Sequence, residues 1–180
     1  MFQFEPNMTS VRDFDVMDLF KFNNVNLDPL TETYGFNFYL NYYLNWPEYF
    51  QVCEHHTGEI MGYIMGKAEG RGDNYHGHVT AVTVAPQYRR LKLAARMMRF
   101  LEDVSEIKQC YFVDLFVRVS NMVAYTLYQS LGYVVYRRII KYYSDEEDAY
   151  DMRKSLSADP DKKAMIPLTH PVNCDDIEFN

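Results

Sequence analysis

The chain lacks any apolar run long enough to cross a membrane, and residues 1–7 carry neither the basic start nor the apolar centre of an export signal. A cytoplasmic location is therefore expected. Cysteine is scarce: Cys53, Cys110 and Cys174 are odd in number and far apart, which fits reduced thiols and not a disulfide framework. An excess of positive charge is also lacking. Eighteen basic residues against 25 acidic ones give a formal net charge of −7, a field that repels nucleic-acid phosphates and an anionic membrane surface alike. Neither is expected as a direct partner. Internal repeats are absent. What the chain does have is apolar and aromatic content, 48% and 16% of its 180 residues, enough to exclude disorder and to build one domain with a substantial core.

The order of local signals is mixed. Residues 9–14 read as a short strand, and Asp15 as the N-cap of a helix reaching towards Asn24. Asn, Asp, Pro and Gly make 23–35 a loop, and 36–45 read as a second helix ended by Pro47. Three strand-like runs follow, 49–54, 60–68 and 78–84, separated by Gly58 and by the turn Gly70-Arg71-Gly72-Asp73. Leu93, Met97, Phe100, Leu101 and Val104 recur at helical spacing and predict a helix over 93–108. Residues 111–119 form an apolar run interrupted only by Asp114 and Arg118, the pattern of a strand covered on both faces. Asn121 can cap a helix whose Ala124, Leu127, Tyr128 and Leu131 share a face and which Gly132 stops. Two more strands, 133–143 and 149–154, flank the acidic turn 145–148. The expected class is α/β (α+β), a mixed, mostly antiparallel sheet of about seven strands flanked by about four helices. An N-terminal extension is expected at 1–7, the folded domain at 8–156 and an extended tail at 157–180.

Residues 78–94 carry the strongest chemical signal. Polar side chains at His78 and Thr80 give way to Thr83 between Val82 and Val84, a change of parity that suggests a bulge near Ala81 and Val82. Pro86 ends the strand, Arg89, Arg90 and Lys92 follow, and a helix starts at Leu93. Unpaired amides at a helix start, beside three cations, suit a phosphate group. On charge pattern alone the same residues are better read as a solvated turn. His76 and His78 could form a metal pair on one strand face, but no third ligand is identifiable, so no metal is expected. Apolar residues at Val16, Met17, Leu19, Phe20 and Phe22, and at many positions from Phe36 to Trp46, exceed one helical face. Such helices are either buried on several sides or covered by another protein.

The segment Arg89-Arg90-Leu91-Lys92-Leu93-Ala94 resembles the cofactor motif of the GNAT acetyltransferases, Arg/Gln-x-x-Gly-x-Gly/Ala, with Lys92 where that pattern has glycine. From Met8 onward nearly the whole chain resembles the catalytic subunits of NatB-type N-terminal acetyltransferases. The likeness runs through Phe20-Lys21-Phe22-Asn23-Asn24, residues 26–35, Trp46-Pro47-Glu48-Tyr49-Phe50, residues 61–70, His76-Gly77-His78-Val79-Thr80-Ala81, residues 113–121 and residues 147–154.

That resemblance implies transfer of acetyl from acetyl-CoA to the α-amine of nascent chains beginning Met-Asp, Met-Glu, Met-Asn or Met-Gln. It implies that Val82, Thr83 and Val84 hold the acetyl carbonyl and pantetheine arm through backbone amides, and that Arg89, Arg90, Leu91, Lys92, Leu93, Ala94 and Ala95 cradle the pyrophosphate. Asn121 is implied as a further cofactor contact, though helix capping accounts for it equally. Tyr128 is implied as the group that protonates the leaving thiolate; by spacing alone it is a core tyrosine. Glu32, Tyr34, Tyr142 and Tyr143 are implied to line the peptide groove, and His78 and Thr80 to meet the second side chain of the acceptor. The implied partner is a large helical-repeat auxiliary subunit, with the ribosome met only indirectly. Two alternatives stay open: a GNAT enzyme with another amine acceptor, or a catalytically weak paralogue that acts as a binding partner.

Overall fold

The computed structural model describes residues 9–176; the extension expected at 1–7 lies outside them. Among the described residues are eight strands and three α-helices, with the strands hydrogen-bonded in the order β1-β2-β3-β4-β5-β7-β6-β8. The chain divides into two compact units. Among the described residues, one comprises 9–67 together with Ala81–Leu101, the other Ala68–Thr80 and 102–176.

In the first unit β1 (Thr9–Asp13) pairs antiparallel with β2 (Gln51–His55), and β2 pairs antiparallel with β3 (Ile60–Glu69). Ile60, Met61, Tyr63, Ile64 and Met65 are all buried, so both faces of β3 are covered and its near-continuous apolar run follows. An aromatic cluster packs beside it: Phe14 stacks on Phe50 with centroids 3.8 Å apart, and Phe22 lies 4.8 Å from Tyr63 and 5.5 Å from Tyr39. Helix α1 (Phe36–Asn45) buries only Tyr39 and Tyr42, one turn apart. Phe36, Phe38 and Leu44 stay exposed.

The helix expected from Asp15 to Asn24 is instead two 3-10 turns, Val16–Phe20 and Asn23–Leu27. Asp15 does cap the first, with its carboxylate accepting from the Met17 amide. The Asp18 side chain, however, is buried and bound by the Arg12 guanidinium and the Asp15 amide. That pins the first turn to β1, and Asn23, Asn24 and Asn26 then favour local alternatives to a continuing α-helix. This accounts for three α-helices where about four were expected.

In the second unit β4 (His76–Val84) pairs parallel with β5 (Phe112–Arg118) over His76–Val79. β5 pairs antiparallel with β7 (Ala149–Ser155), and β7 with β6 (Val134–Ile140). Gly77 permits a close approach: a Cβ there would stand 2.1 Å from Ser105 Oγ and 3.0 Å from its Cβ. Helix α2 (Leu93–Ile107) contributes its last residues to this unit, where Glu102 accepts from Tyr133 Oη at 3.0 Å and from Lys154 Nζ at 2.7 Å. Helix α3 (Met122–Ser130) is capped by Asn121 and stopped at Gly132, whose φ of +94° and amide bond to the Gln129 carbonyl give the left-handed helix end expected of glycine.

The segment expected as an extended tail is docked. Asp159 is buried and accepts from the amides of Lys163 and Ala164 and from Ser155 Oγ. Leu168 donates its amide to the Tyr136 carbonyl, and β8 (Val172–Asn173) pairs parallel with the end of β6 as the eighth strand.

Candidate active site

Residues named from the sequence fall in both units. In the first, the strand end and the loop into α2 are built on close packing. At Gly62 an added Cβ would stand 2.6 Å from the Thr83 carbonyl, so β3 and β4 approach closely. Thr83 is buried, at the same parity as the buried Val79; its hydroxyl lies 3.1 Å from that of Thr31 and donates to the Val25 carbonyl. The polarity change that suggested a bulge is therefore accounted for by a buried, hydrogen-bonded threonine. Val82 and Val84 on either side are partly exposed.

Beyond Pro86, Tyr88 is buried and donates to Glu59 Oε2 at 2.7 Å. Desolvation, then Glu59, pushes its phenol up to about 12. Arg89 is partly engaged: its guanidinium is paired with the Asp28 carboxylate and donates through Nε to the Val84 carbonyl, while its side chain stays 46% exposed. The Leu30 amide and Arg89 together hold the Asp28 carboxyl below its ordinary range.

Arg90 and Lys92 are exposed and adopt left-handed φ values of 66° and 62°, with Leu91 between them. Lys92 thus occupies the backbone region that favours glycine, where a side chain costs about 1 kcal/mol or more. The first intrahelical bond of α2 runs from the Arg96 amide to the Lys92 carbonyl. The amides of Leu93, Ala94 and Ala95 precede it and have no place in the helix ladder. Alternating left-handed residues followed by a helix start turn successive N–H groups the same way, the concavity that takes an anion. Leu93 itself is buried and anchors the turn. Also in this unit, Tyr34 stacks on Phe38 with centroids 4.2 Å apart, and Glu32 is exposed on the same loop.

In the second unit Tyr128 lies on α3, 7% exposed, its ring 6.0 Å from that of Tyr133. Its pKa is raised by burial alone. Its only ring contact among the described residues is with Tyr133. Asn121 Oδ1 accepts from the Ala124 amide at 3.1 Å, so capping is a role it demonstrably has.

His78, Tyr142 and Tyr143 come together around Phe116, a residue the sequence did not single out. The His78 ring is 5.3 Å from Phe116, Phe116 is 4.9 Å from Tyr142, and Tyr142 is 5.0 Å from Tyr143. Arg118 lies over the Tyr143 ring at 3.9 Å and donates to Asp145 and Glu147. Hydrogen bonds from Ser120 and Arg118 pull the Glu147 carboxyl down to about 2. The pair of tyrosines is thus held from behind by a charged turn. Thr80 is on β4, two residues beyond His78 and partly exposed.

Asp114 was also missed. It is buried, sits opposite His78 in the β4–β5 register and lies 2.8 Å from His78 Nδ1. Burial alone would raise its carboxyl, but His78, His76 and Arg153 outweigh that and hold it below the ordinary value. The one signal in the sequence was a carboxylate inside an apolar strand.

A family model described as acetyltransferase (GNAT) matches residues 15–133. The chain belongs to the GNAT acetyltransferase family. Among relatives of this GNAT chain, the N-terminal acetyltransferase B complex catalytic subunit NAA20 of Arabidopsis thaliana is 54% identical, over 96% of this chain and 100% of that protein. The crystal structure of Chaetomium thermophilum Naa20 in complex with a bisubstrate analogue superposes with a TM-score of 0.88 at 42% identity, covering 92% of this chain and 97% of that one. A structure of the NatB acetyltransferase complex bound to CoA and MES has a chain that superposes at 0.76 with 44% identity, covering 82% and 99%. The eight-stranded mixed sheet is accordingly the GNAT fold. No helix of the described residues is long and apolar enough to cross a membrane.

Proposed function

We propose that this GNAT chain is the catalytic subunit of a NatB-type enzyme, transferring acetyl from acetyl-CoA to the α-amine of cytoplasmic proteins that begin Met-Asp, Met-Glu, Met-Asn or Met-Gln. The full-length likeness to the Arabidopsis NatB catalytic subunit carries the reading. The local geometry is consistent with it.

The Leu93, Ala94 and Ala95 amides, with Arg90 and Lys92 beside them, would hold the pyrophosphate of the donor. Arg89 would join them with its remaining N–H groups while its pair with Asp28 fixes the loop. The acceptor amine has an ordinary pKa near 8, so roughly a tenth is neutral at pH 7. Attack of its nitrogen on the thioester carbon forms the amide and breaks the C–S bond, and the amine's proton has to leave while the sulfur gains one. A tyrosine is protonated at neutral pH and burial only raises Tyr128 further, so it is in the state needed to donate towards a departing sulfur. Glu32, Tyr34, Tyr142 and Tyr143 would line the peptide groove, and His78 and Thr80 would hydrogen-bond an acidic or amide second side chain.

The exposed Met17, Phe20, Phe36 and Leu44 support a protein partner of the auxiliary-subunit kind. Acetyl transfer from labelled acetyl-CoA to peptides beginning Met-Asp, Ser-Glu and Met-Leu, with and without that subunit, tests the reading. Transfer confined to Met-Asp is expected; preference for either other peptide would overturn the specificity. Cofactor binding without transfer in any combination would favour a partner-only role.

A further inference from the structure

The ends of β3 and β4 bring Glu69, His76 and His78 together, each with an atom able to ligate a metal and the three atoms within 4.8 Å of one another. His76 and His78 are two apart on β4 and leave the same face. The third ligand that the sequence did not reveal is thus supplied by the neighbouring strand.

Both imidazoles are oriented by fixed acceptors. His76 Nδ1 stands 2.7 Å from the Asn74 carbonyl, which only a ring N–H can satisfy, so the lone pair is on Nε2. That nitrogen is 3.8 Å from Glu69 Oε1 and 3.7 Å from Asp114 Oδ2, too far for a hydrogen bond to either. Ligands about 2.0–2.1 Å from a tetrahedral ion stand about 3.4 Å apart, so the 3.8 Å between His76 and Glu69 needs only a small contraction around a cation and the wider spacing, up to 4.8 Å, a larger one. His78 is held by Asp114 as His76 is held by Asn74. A histidine tied to a carboxylate or backbone carbonyl is the arrangement that fixes a metal ligand's tautomer and raises its basicity. The side chains are 11–19% exposed, enough for an ion to enter.

We propose that Glu69, His76 and His78 bind a divalent transition-metal ion of the zinc class, with Asn74 and Asp114 orienting the two imidazoles. Two nitrogens and a carboxylate oxygen select such an ion over calcium or magnesium. An ion there engages His78, so it competes with the acceptor peptide; this consequence rests on the proposed role of His78.

The test is titration of the full chain with Zn2+ by calorimetry and with Co2+ by visible absorption. One equivalent is expected, with a tetrahedral cobalt spectrum lacking a thiolate band. Binding is lost in His76→Gln/His78→Gln, falls at least tenfold in Glu69→Gln, and survives in His55→Gln/His56→Gln, which removes the other adjacent histidine pair. Glu69 is at the surface end of the cluster, so its variant carries the test if the double variant fails to fold. No binding at 100-fold excess of ion over protein, a cobalt–thiolate band, or binding unchanged in the His76/His78 variant overturns the site. Binding with zinc inhibition relieved by excess Met-Asp peptide supports site and consequence together; binding without inhibition supports the site and tells against the role of His78.

Discussion

Two regions of this molecule meet ligands by opposite means. The loop before α2 is a backbone site: its amides come from two left-handed residues and a helix start, while its one strictly matched cation, Arg89, is bound to Asp28. The region around His78 and Phe116 is a side-chain site, its rings held by Asp114 below and by Arg118 and Glu147 behind. A backbone site tolerates drift in side-chain identity, and Lys92 in a glycine position is an instance. A side-chain site should not tolerate it. The contrast is therefore testable by substitution.

The largest effect is expected at Asp114. Replacing it with alanine removes the acceptor of His78 Nδ1 and a buried negative charge near His76 and Arg153. Leaving a buried donor without its acceptor costs about 1–3 kcal/mol. Urea denaturation should register that loss; a change under 1 kcal/mol would mean the cluster contributes little to the second unit.

Next comes Tyr128, which separates chemistry from stability. Tyr128→Phe removes a hydroxyl that no described side chain pairs with, so stability should stay within about 0.5 kcal/mol. Turnover should fall about a hundredfold, the usual size of a lost proton donor. Full turnover in the variant would sink the assignment.

How much of this was legible beforehand follows from the range of the interactions. Helix α1 ends where Pro47 stops it and α3 begins where Asn121 caps it, because both signals are local. The loop into α2 was readable for the same reason. The 16–27 segment was not, since its 3-10 form depends on Asp18 meeting Arg12 from β1. Asp114 and Glu69 escaped notice because they reach the histidines only through strand register, 36 residues away in the case of His78 and Asp114. The tail's prolines concealed that Asp159 gathers two amides and a hydroxyl.

The support behind the tyrosine pair should reveal itself through pH. Hydrogen bonds lower Glu147 to about 2 from an ordinary value of 4.5. A depressed carboxyl contributes stability that is fully present above about pH 4.5 and lost as pH falls towards 2. Asp145 is exposed and Glu147 only half-buried at the turn, so the contribution is modest. Thermal melts of Glu147→Gln and the parent should differ most near pH 6 and converge towards pH 2–3. A gap that stays constant with pH would remove the charge from the account.

The smallest effect, and the one that tests the backbone site directly, is Lys92→Gly. Glycine relieves the left-handed strain at φ 62° and should add about 1 kcal/mol of stability. It also removes a cation beside the Leu93–Ala95 amides, so KM for acetyl-CoA should rise a few-fold while kcat holds. Those two changes have opposite implications for why lysine stands there. If stability rises and KM with it, the residue exchanges strain for phosphate affinity. If stability rises and KM is unchanged, the amides alone hold the anion and the lysine contributes strain without binding. If stability falls, the left-handed geometry is not a strained one in this loop, and the distinction drawn between the two regions fails at its clearest point.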